Sequence, residues 1–522
     1  MKELALLYVR KKLSLSAVGA IAKLILKKGM IGSGNLTIKC QINIDGTPVF
    51  KTNSVDLWPI LFRVVNSLDS SPFVISIFAG KGKPPSLEEY LRPFLTEMIQ
   101  LQSEGVEFES KCYSVEIISF VCDAPARQFL KVITGHGGYG GCELCSQTGV
   151  FDPVYHCMTF RELVDISLRT DDTFRYQIHK NHHKGNSPLL DLNINMISSF
   201  PLDYMHLVLL GVFKRLLTIW TGDWSKKHYQ HRLGTWDKTQ LEKRLRRIRH
   251  SYPEEFHRIT ITLKYPKQLK ANELRTVLLY TGPGLFKGIL SSEKYIHFLY
   301  LHLAIRILCS PTLSKTYSHL ARSSLQYFAF QFGEIYGKNH LIYNVHSLIH
   351  IVDDCEIHGT LDSSSAFPFE TFLGQMKMLV RSQNKVLAQI VKRISELEHV
   401  SQLESASKKS IFGHERPVDM LRTLKHHVKP STKKDSFYLC ENGMVIKVTG
   451  FSNTQISFKP FILRGDFFSK LVKSTNLDIS KSSGMEEKIE TALIDDLQLH
   501  SKCWVIPTAK GCCIVPILHH SI

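Results

Sequence analysis

The chain has 522 residues, more than one hydrophobic core usually holds, so several domains are expected. With 43% hydrophobic and 21% charged residues it has the balance of a folded globular protein, which argues against a disordered chain. Its 65 Lys and Arg against 47 Asp and Glu give a formal charge of +18, which favours a polyanionic partner such as nucleic acid.

No run of about 18 apolar residues occurs, so no membrane-spanning helix is expected and no membrane partner. The basic, partly apolar opening reads as an amphipathic helical segment over residues 1–34 rather than a signal peptide. Twelve scattered cysteines without a secretory leader imply reduced thiols.

In TIKCQINIDG, Ile38, Cys40, Ile42 and Ile44 alternate with polar residues, which predicts a strand delivering Asp45 at its end. Apolar runs at Leu57–Val65 and Pro72–Gly80 predict two more strands. Pro84–Gly105 reads as a helix capped by Ser86, with Glu89 three positions on. A fourth strand follows and ends at Asp123, with a helix starting near Pro125. Neighbouring strands that both end in carboxylates place them at one sheet edge, as a divalent-cation site requires. The competing reading makes Asp45-Gly46 a turn and Asp123 a helix cap.

The stretch HGGYGGCELCSQTG carries Cys142 and Cys145, half of a tetrahedral metal site. Residues 151–356 then read as mainly helical. Phe200–Trp220 is a predicted helix with Asp203 near its start and His206 within it. Lys238–Arg258 is predicted to be helical, with Lys243, Arg244, Arg246, Arg247 and Arg249 forming a basic face. That face is either simply solvated or a contact for a phosphate backbone. In Asn339–Cys355, His346 and His350 share a predicted helix face, either as packed histidines or as the other half of the metal site. A single long helix is predicted from Ser365, with Glu370 in its first turns and Lys377, Arg381 and Lys385 after it. Beyond about Lys408 short β-like runs predict a small β-rich domain, with Cys512 and Cys513 buried in a strand.

IDGTPVF, CDAPARQFL, GHGGYGGCELC, FPLDYMHLVLLGVFKRLL, YNVHSLIH and SAFPFETFLGQMKMLVR occur in this order. Together they resemble the cut-and-paste DNA transposases related to the CACTA superfamily, over about residues 35–400. The resemblance implies an α/β, ribonuclease-H-like core with a mixed sheet, interrupted by a large helical insertion and followed by the β-rich C-terminal domain. The expected division is 1–34, 35–150 for the first part of the core, 151–356 for the insertion, 357–408 for completion of the core, and 409–522.

The resemblance further implies a catalytic triad of Asp45, Asp123 and Glu370 holding Mg²⁺ or Mn²⁺, with nuclease and strand-transfer activity on double-stranded DNA. A structural Zn²⁺ would sit at Cys142, Cys145, His346 and His350. Asp203, His206, Lys377 and Arg381 would contact the active site or DNA, although a helix cap and a packed histidine explain Asp203 and His206 equally well. A homodimer or larger synaptic oligomer and a nuclear location are expected. The alternative is a domesticated or inactive DNA-binding or scaffold protein that keeps the fold.

Overall fold

The computed structural model describes residues 36–50, 55–67, 69–222, 231–408, 421–422, 427–428, 432, 434–452, 455–509 and 511–518. The expected helical segment 1–34 lies outside them. The chain forms two compact units, one comprising Met1–His206 with Leu341–Gly413, the other Leu207–His340 with His414–Ile522.

The first unit is built on a mixed sheet. Strand β1 (Thr37–Ile44) pairs antiparallel with β2 (Asp56–Val64), which pairs antiparallel with β3 (Phe73–Gly80). After helix α1 (Leu87–Glu104), the short β4 (Val106–Phe108) forms a hairpin with β5 (Lys111–Phe120), and β5 lies parallel to β1. Helix α1 starts where the Ser86 hydroxyl accepts the Glu89 N–H at 3.2 Å, and it stops at Gly105, whose φ of 73° suits glycine. Its buried face presents Leu91, Phe94, Leu95 and Met98 to the core that also holds Ile38, Ile42, Ile60 and Phe62.

The alternation in β1 predicts one polar face, yet Gln41 and Asn43 are buried as well. Helices and loops cover both sides of the strand, so these amides turn inward to backbone acceptors. Gln41 donates to the Ser363 carbonyl and Asn43 to the Val121 carbonyl, each at 2.7 Å. The first of these bonds ties the returning segment 341–413 to the central strand.

Four predicted helices are broken, one of them Asn339–Cys355 at Ser347–Ile349. Phe200–Trp220 becomes a π-helical stretch, Met205–Phe213, followed by the α-helix Lys214–Thr221. The basic helix is Thr235–Ile248. It gives way to a 3₁₀ turn at Arg249–Ser251 just before Pro253, which leaves Arg249 outside the α-helix. The long helix from Ser365 is in fact two, Phe367–Met378 and Val386–Lys408. Arg381 sits in the connection, and Lys385 has a left-handed φ of 51°.

The second unit holds the helical insertion and the separate C-terminal β-region. Its long helices are Ser292–Cys309 and Pro311–Tyr336. The C-terminal sheet is antiparallel throughout. Strand Val445–Phe451 pairs with both Phe437–Cys440 and Gln455–Asp466, so six of its seven strands close into a ring, which leaves no free edge between them. Strand Glu490–Leu493 adds outside the ring.

Candidate metal centre

The Gly-rich turn after α2 (Ala124–Lys131) folds back so that Cys145 bridges to Leu168 and Arg169 N–H reaches the Leu144 carbonyl. This holds both sulfurs inside the protein, where Cys142 and Cys145 are 1% and 0% exposed. The two histidines arrive on broken helix. Tyr343–His346 is α-helical, Ser347–Ile349 is a 3₁₀ turn and Ile351–His358 resumes the α-helix. Despite the break, His346 Nε2 lies 3.3 Å from Cys145 Sγ and His350 Nε2 lies 3.8 Å from Cys142 Sγ. One ligand atom from each of the four residues lies within 4.8 Å of the others, so the group can hold a metal ion.

The electrostatics suit a cation bound by thiolate. Burial alone would raise the Cys142 thiol, but hydrogen bonds with Cys145, His346 and His350 hold it well below its usual range. Cys145 is pushed up by its hydrogen bond to Cys142 and by burial. A cation bound there would take the place of the thiol protons. Around the ligands, the Gln147 side-chain amide stands 3.2 Å from His346 Nδ1. Buried Arg169 donates to the Cys142 carbonyl at 3.1 Å and feels both sulfurs. Such partners orient metal ligands and tune their charge.

A second buried network fixes the turn to α2 and to the returning segment. Arg127 donates to Glu143 at 3.0 Å, to the Tyr343 hydroxyl at 3.0 Å and to the Cys122 carbonyl at 2.7 Å. Lys131 completes it, 3.5 Å from Glu143. All four side chains are less than 5% exposed. Burial opposes the charge on Arg127, but Glu143 and Tyr343 outweigh it and hold that guanidinium above its usual range, while Lys131 is lowered by burial. Arg127, Glu143, Gln147 and Tyr343 all lie inside the quoted motif stretches, but nothing in those stretches marks them as partners, and Arg169 lies outside them all.

The acidic residues are placed by the sheet. Because β1 and β5 are parallel neighbours, Asp45 and Asp123 leave the same edge, and Val121 N–H still bonds the Ile42 carbonyl at 2.8 Å. Asp45 accepts from Gly46 N–H at 2.7 Å, and a side chain at Gly46 would run into the Trp58 ring. Asp123 caps α2 through Ala126 N–H at 2.8 Å, so the cap reading of Asp123 holds. Asp203 is buried and binds four donors: the backbone N–H groups of Met205, His206 and Ala366, and His206 Nδ1 at 2.6 Å. Through Ala366 it fixes the start of Phe367–Met378, which carries Glu370, and His206 Nε2 lies 3.9 Å from Glu370.

These groups titrate together. Burial, then Asp123 and Glu370, push Asp45 up to about 7 against the pull of His206 and the Gly46 N–H. Burial also raises Glu370, against His206. Burial opposes charge on His206, but Asp203, Glu370 and Asp123 raise it to about 9.

The expected Mg²⁺-dependent transposase or endonuclease is corrected here, and with it the transposition and recombination chemistry. Among the described residues, the only group of three or more His, Cys, Asp or Glu that gathers to metal-ligand distances is Cys142, Cys145, His346 and His350. It is a Cys₂His₂ set. Asp45, Asp123 and Glu370 do not form one. The physical reason lies in the local partners of the acids: Asp45 accepts from the Gly46 N–H, Asp123 caps α2 through the Ala126 N–H and Glu370 faces His206, rather than the ligand atoms closing on one point.

Of the predicted DNA contacts, Lys243, Arg246, Arg247 and Arg249 are exposed, and none has an ion-pair partner among the described residues. Arg244 is not free for phosphate. Its Nη1 donates to the carbonyls of Gly284, Leu285 and Lys287 at 2.7–3.0 Å. Lys377 lies in the last turn of its helix and Arg381 in the loop beyond it. No protein family's sequence profile matches the chain, and no curated protein shows detectable similarity to it.

Proposed function

We propose that this protein is a DNA-binding or scaffold protein: a ribonuclease-H-like sheet clasped by one structural zinc ion, with a helical insertion that presents cations to double-stranded DNA in the nucleus. It is the alternative that the resemblance carries when strand transfer is absent. The observation that carries the DNA reading is the exposed set Lys243, Arg246, Arg247 and Arg249 without carboxylate partners among the described residues, in a chain of formal charge +18. Such cations would hold the phosphate backbone without reading bases.

The antiparallel trio β1–β2–β3 with β5 parallel to β1 supports the ribonuclease-H-like assignment. Zinc is favoured by the donor set. A tetrahedral ion with about 2.3 Å to sulfur and about 2.0–2.1 Å to nitrogen sets those ligands about 3.6 Å apart. The 3.3 and 3.8 Å separations bracket that value. The ion would supply a crosslink between residues 142–145 and 346–350. Four protein donors leave no open position for substrate.

Fluorescence anisotropy with a labelled 30-base-pair duplex tests this across a salt series. Binding should weaken linearly on a log–log plot. Substituting Arg246, Arg247 and Arg249 together by Glu should cost at least about tenfold in affinity and flatten the slope by about 0.9 for each phosphate that is no longer neutralised. An unchanged affinity and slope in that variant would remove this surface from the reading.

A further inference from the structure

Within the second unit, the helix Thr235–Ile248 and the C-terminal ring border a cavity of about 220 Å³. Ile248, Leu285, Phe467 and Ile506 give it apolar walls. Its charge has one sign: Arg244, Arg247 and Lys287 line it, and no carboxylate does. Arg244 is fixed by its three carbonyls, and burial and the neighbouring Arg247 depress its pKa. Lys287 Nζ donates to the Phe467 carbonyl at 3.2 Å and stands 5.5 Å from the centre of that ring. Arg247 is exposed and unpaired among the described residues. Thr281, in the same wall, is 3% exposed and its hydroxyl has no hydrogen-bond partner there. Uncompensated cations around a low-dielectric concavity attract an anion, and arginine matches phosphate geometry.

The volume is below the roughly 300–1,000 Å³ of pockets for drug-sized ligands, so it suits one planar ring system, with a sugar and its charged group left at the mouth. Arg247 and Lys287, with Arg244 behind them and no lining carboxylate, suit a doubly charged phosphate better than a singly charged carboxylate. The flat Phe467 ring beside Lys287 suits a planar base better than a flexible acyl chain. We infer that this cavity binds a nucleoside monophosphate unit, its base against Phe467 and its phosphate on Arg247 and Lys287. The source is either a free mononucleotide or an unpaired nucleotide of a DNA strand, and the second rests on the DNA reading above.

Calorimetric titration of the full chain with AMP and thymidine monophosphate tests it, beside ribose 5-phosphate, inorganic phosphate and octanoate. At least one nucleotide should bind tenfold tighter than all three controls. Ala509, exposed on the rim, lies in a hairpin turn, and Ala509→Trp should block the mouth and weaken nucleotide binding at least tenfold without lowering the melting temperature. Arg247→Ala should weaken it similarly and carries the test if the Trp variant fails to fold. Competition by a 5′-phosphorylated single strand assigns the unpaired nucleotide, and its absence assigns the free one. Tighter binding of octanoate, equal binding of phosphate and nucleotide, or nucleotide affinity unchanged in the variants would overturn the inference. Duplex affinity should survive Ala509→Trp. Nucleotide binding without duplex binding refutes the DNA reading alone, and duplex binding without nucleotide binding refutes the cavity alone.

Discussion

Two clusters in the first unit are built from ionisable side chains, and they differ in how they settle their charge. At Cys142, Cys145, His346 and His350 the ligand atoms gather within 4.8 Å inside a buried shell, with Arg169 beside the sulfurs. At Asp45, Asp123 and Glu370 the acids are set by strand ends and a helix, and each has its own local partner, the Gly46 N–H, the Ala126 N–H and His206. The lesson is that proximity of acids at a sheet edge does not make a metal site. Convergence of ligand atoms does, and only the first cluster has it.

The largest effect that would break this contrast concerns the metal. Elemental analysis should find close to one zinc per chain, and chelation or Cys145→Ser should lower stability by at least several kcal/mol, since structural zinc sites contribute on the order of 10 kcal/mol in small domains. Full zinc retention by a His346→Ala, His350→Ala double variant would show the ligands to lie elsewhere.

A smaller effect sharpens the view of the shell. Arg127→Met strands Glu143 in the interior with only Lys131 and Tyr343, and should cost about 3–5 kcal/mol by denaturant titration. Adding Glu143→Gln should recover part of that cost. A single-variant loss below about 1 kcal/mol would mean that the network does not hold the turn.

The smallest effect has the opposite sign. Folded Asp45 keeps its proton up to about pH 7, whereas its ordinary value is 3.8. Its contribution is therefore complete below about pH 4 and is lost as pH rises through 7. Asp45→Asn cannot ionise, so it should stabilise the protein above pH 8 by on the order of 2 kcal/mol and change little at pH 4. A variant less stable than the parent at pH 8 would show that the carboxylates are held by something other than the proton and His206.

Much of this was legible in the sequence because it was local. The apolar alternation of β1, the Ser86 cap and the Cys-x-x-Cys turn each sit within a few residues, and the paired histidines are four apart. The helix breaks were not. The apolar pattern runs through Ser347–Ile349, and the polar run Arg381–Lys385 reads as a solvated helix face; neither holds a glycine or proline to mark the interruption. The closing of the C-terminal ring rests on the pairing of Val445–Phe451 with Gln455–Asp466, and the fixing of Arg244 on acceptors 40 residues away. The intact Asp, Asp and Glu suggested a magnesium site because spacing reports which elements carry the acids and not how closely their oxygens converge.

The clasp also orders events during synthesis. Cys145 and His346 are 201 residues apart, with Leu207–His340 lying between them. At about 5–20 residues per second, the ribosome needs about 10–40 s to deliver the histidines after the cysteines. Closing a loop of that length also costs roughly 5 kcal/mol of chain entropy. During that interval the two thiols stand without their nitrogen partners, and the first unit cannot finish folding. A nascent chain stopped before residue 341 therefore holds both cysteines of the cluster and neither histidine, and the vulnerable step in this protein's life is its birth.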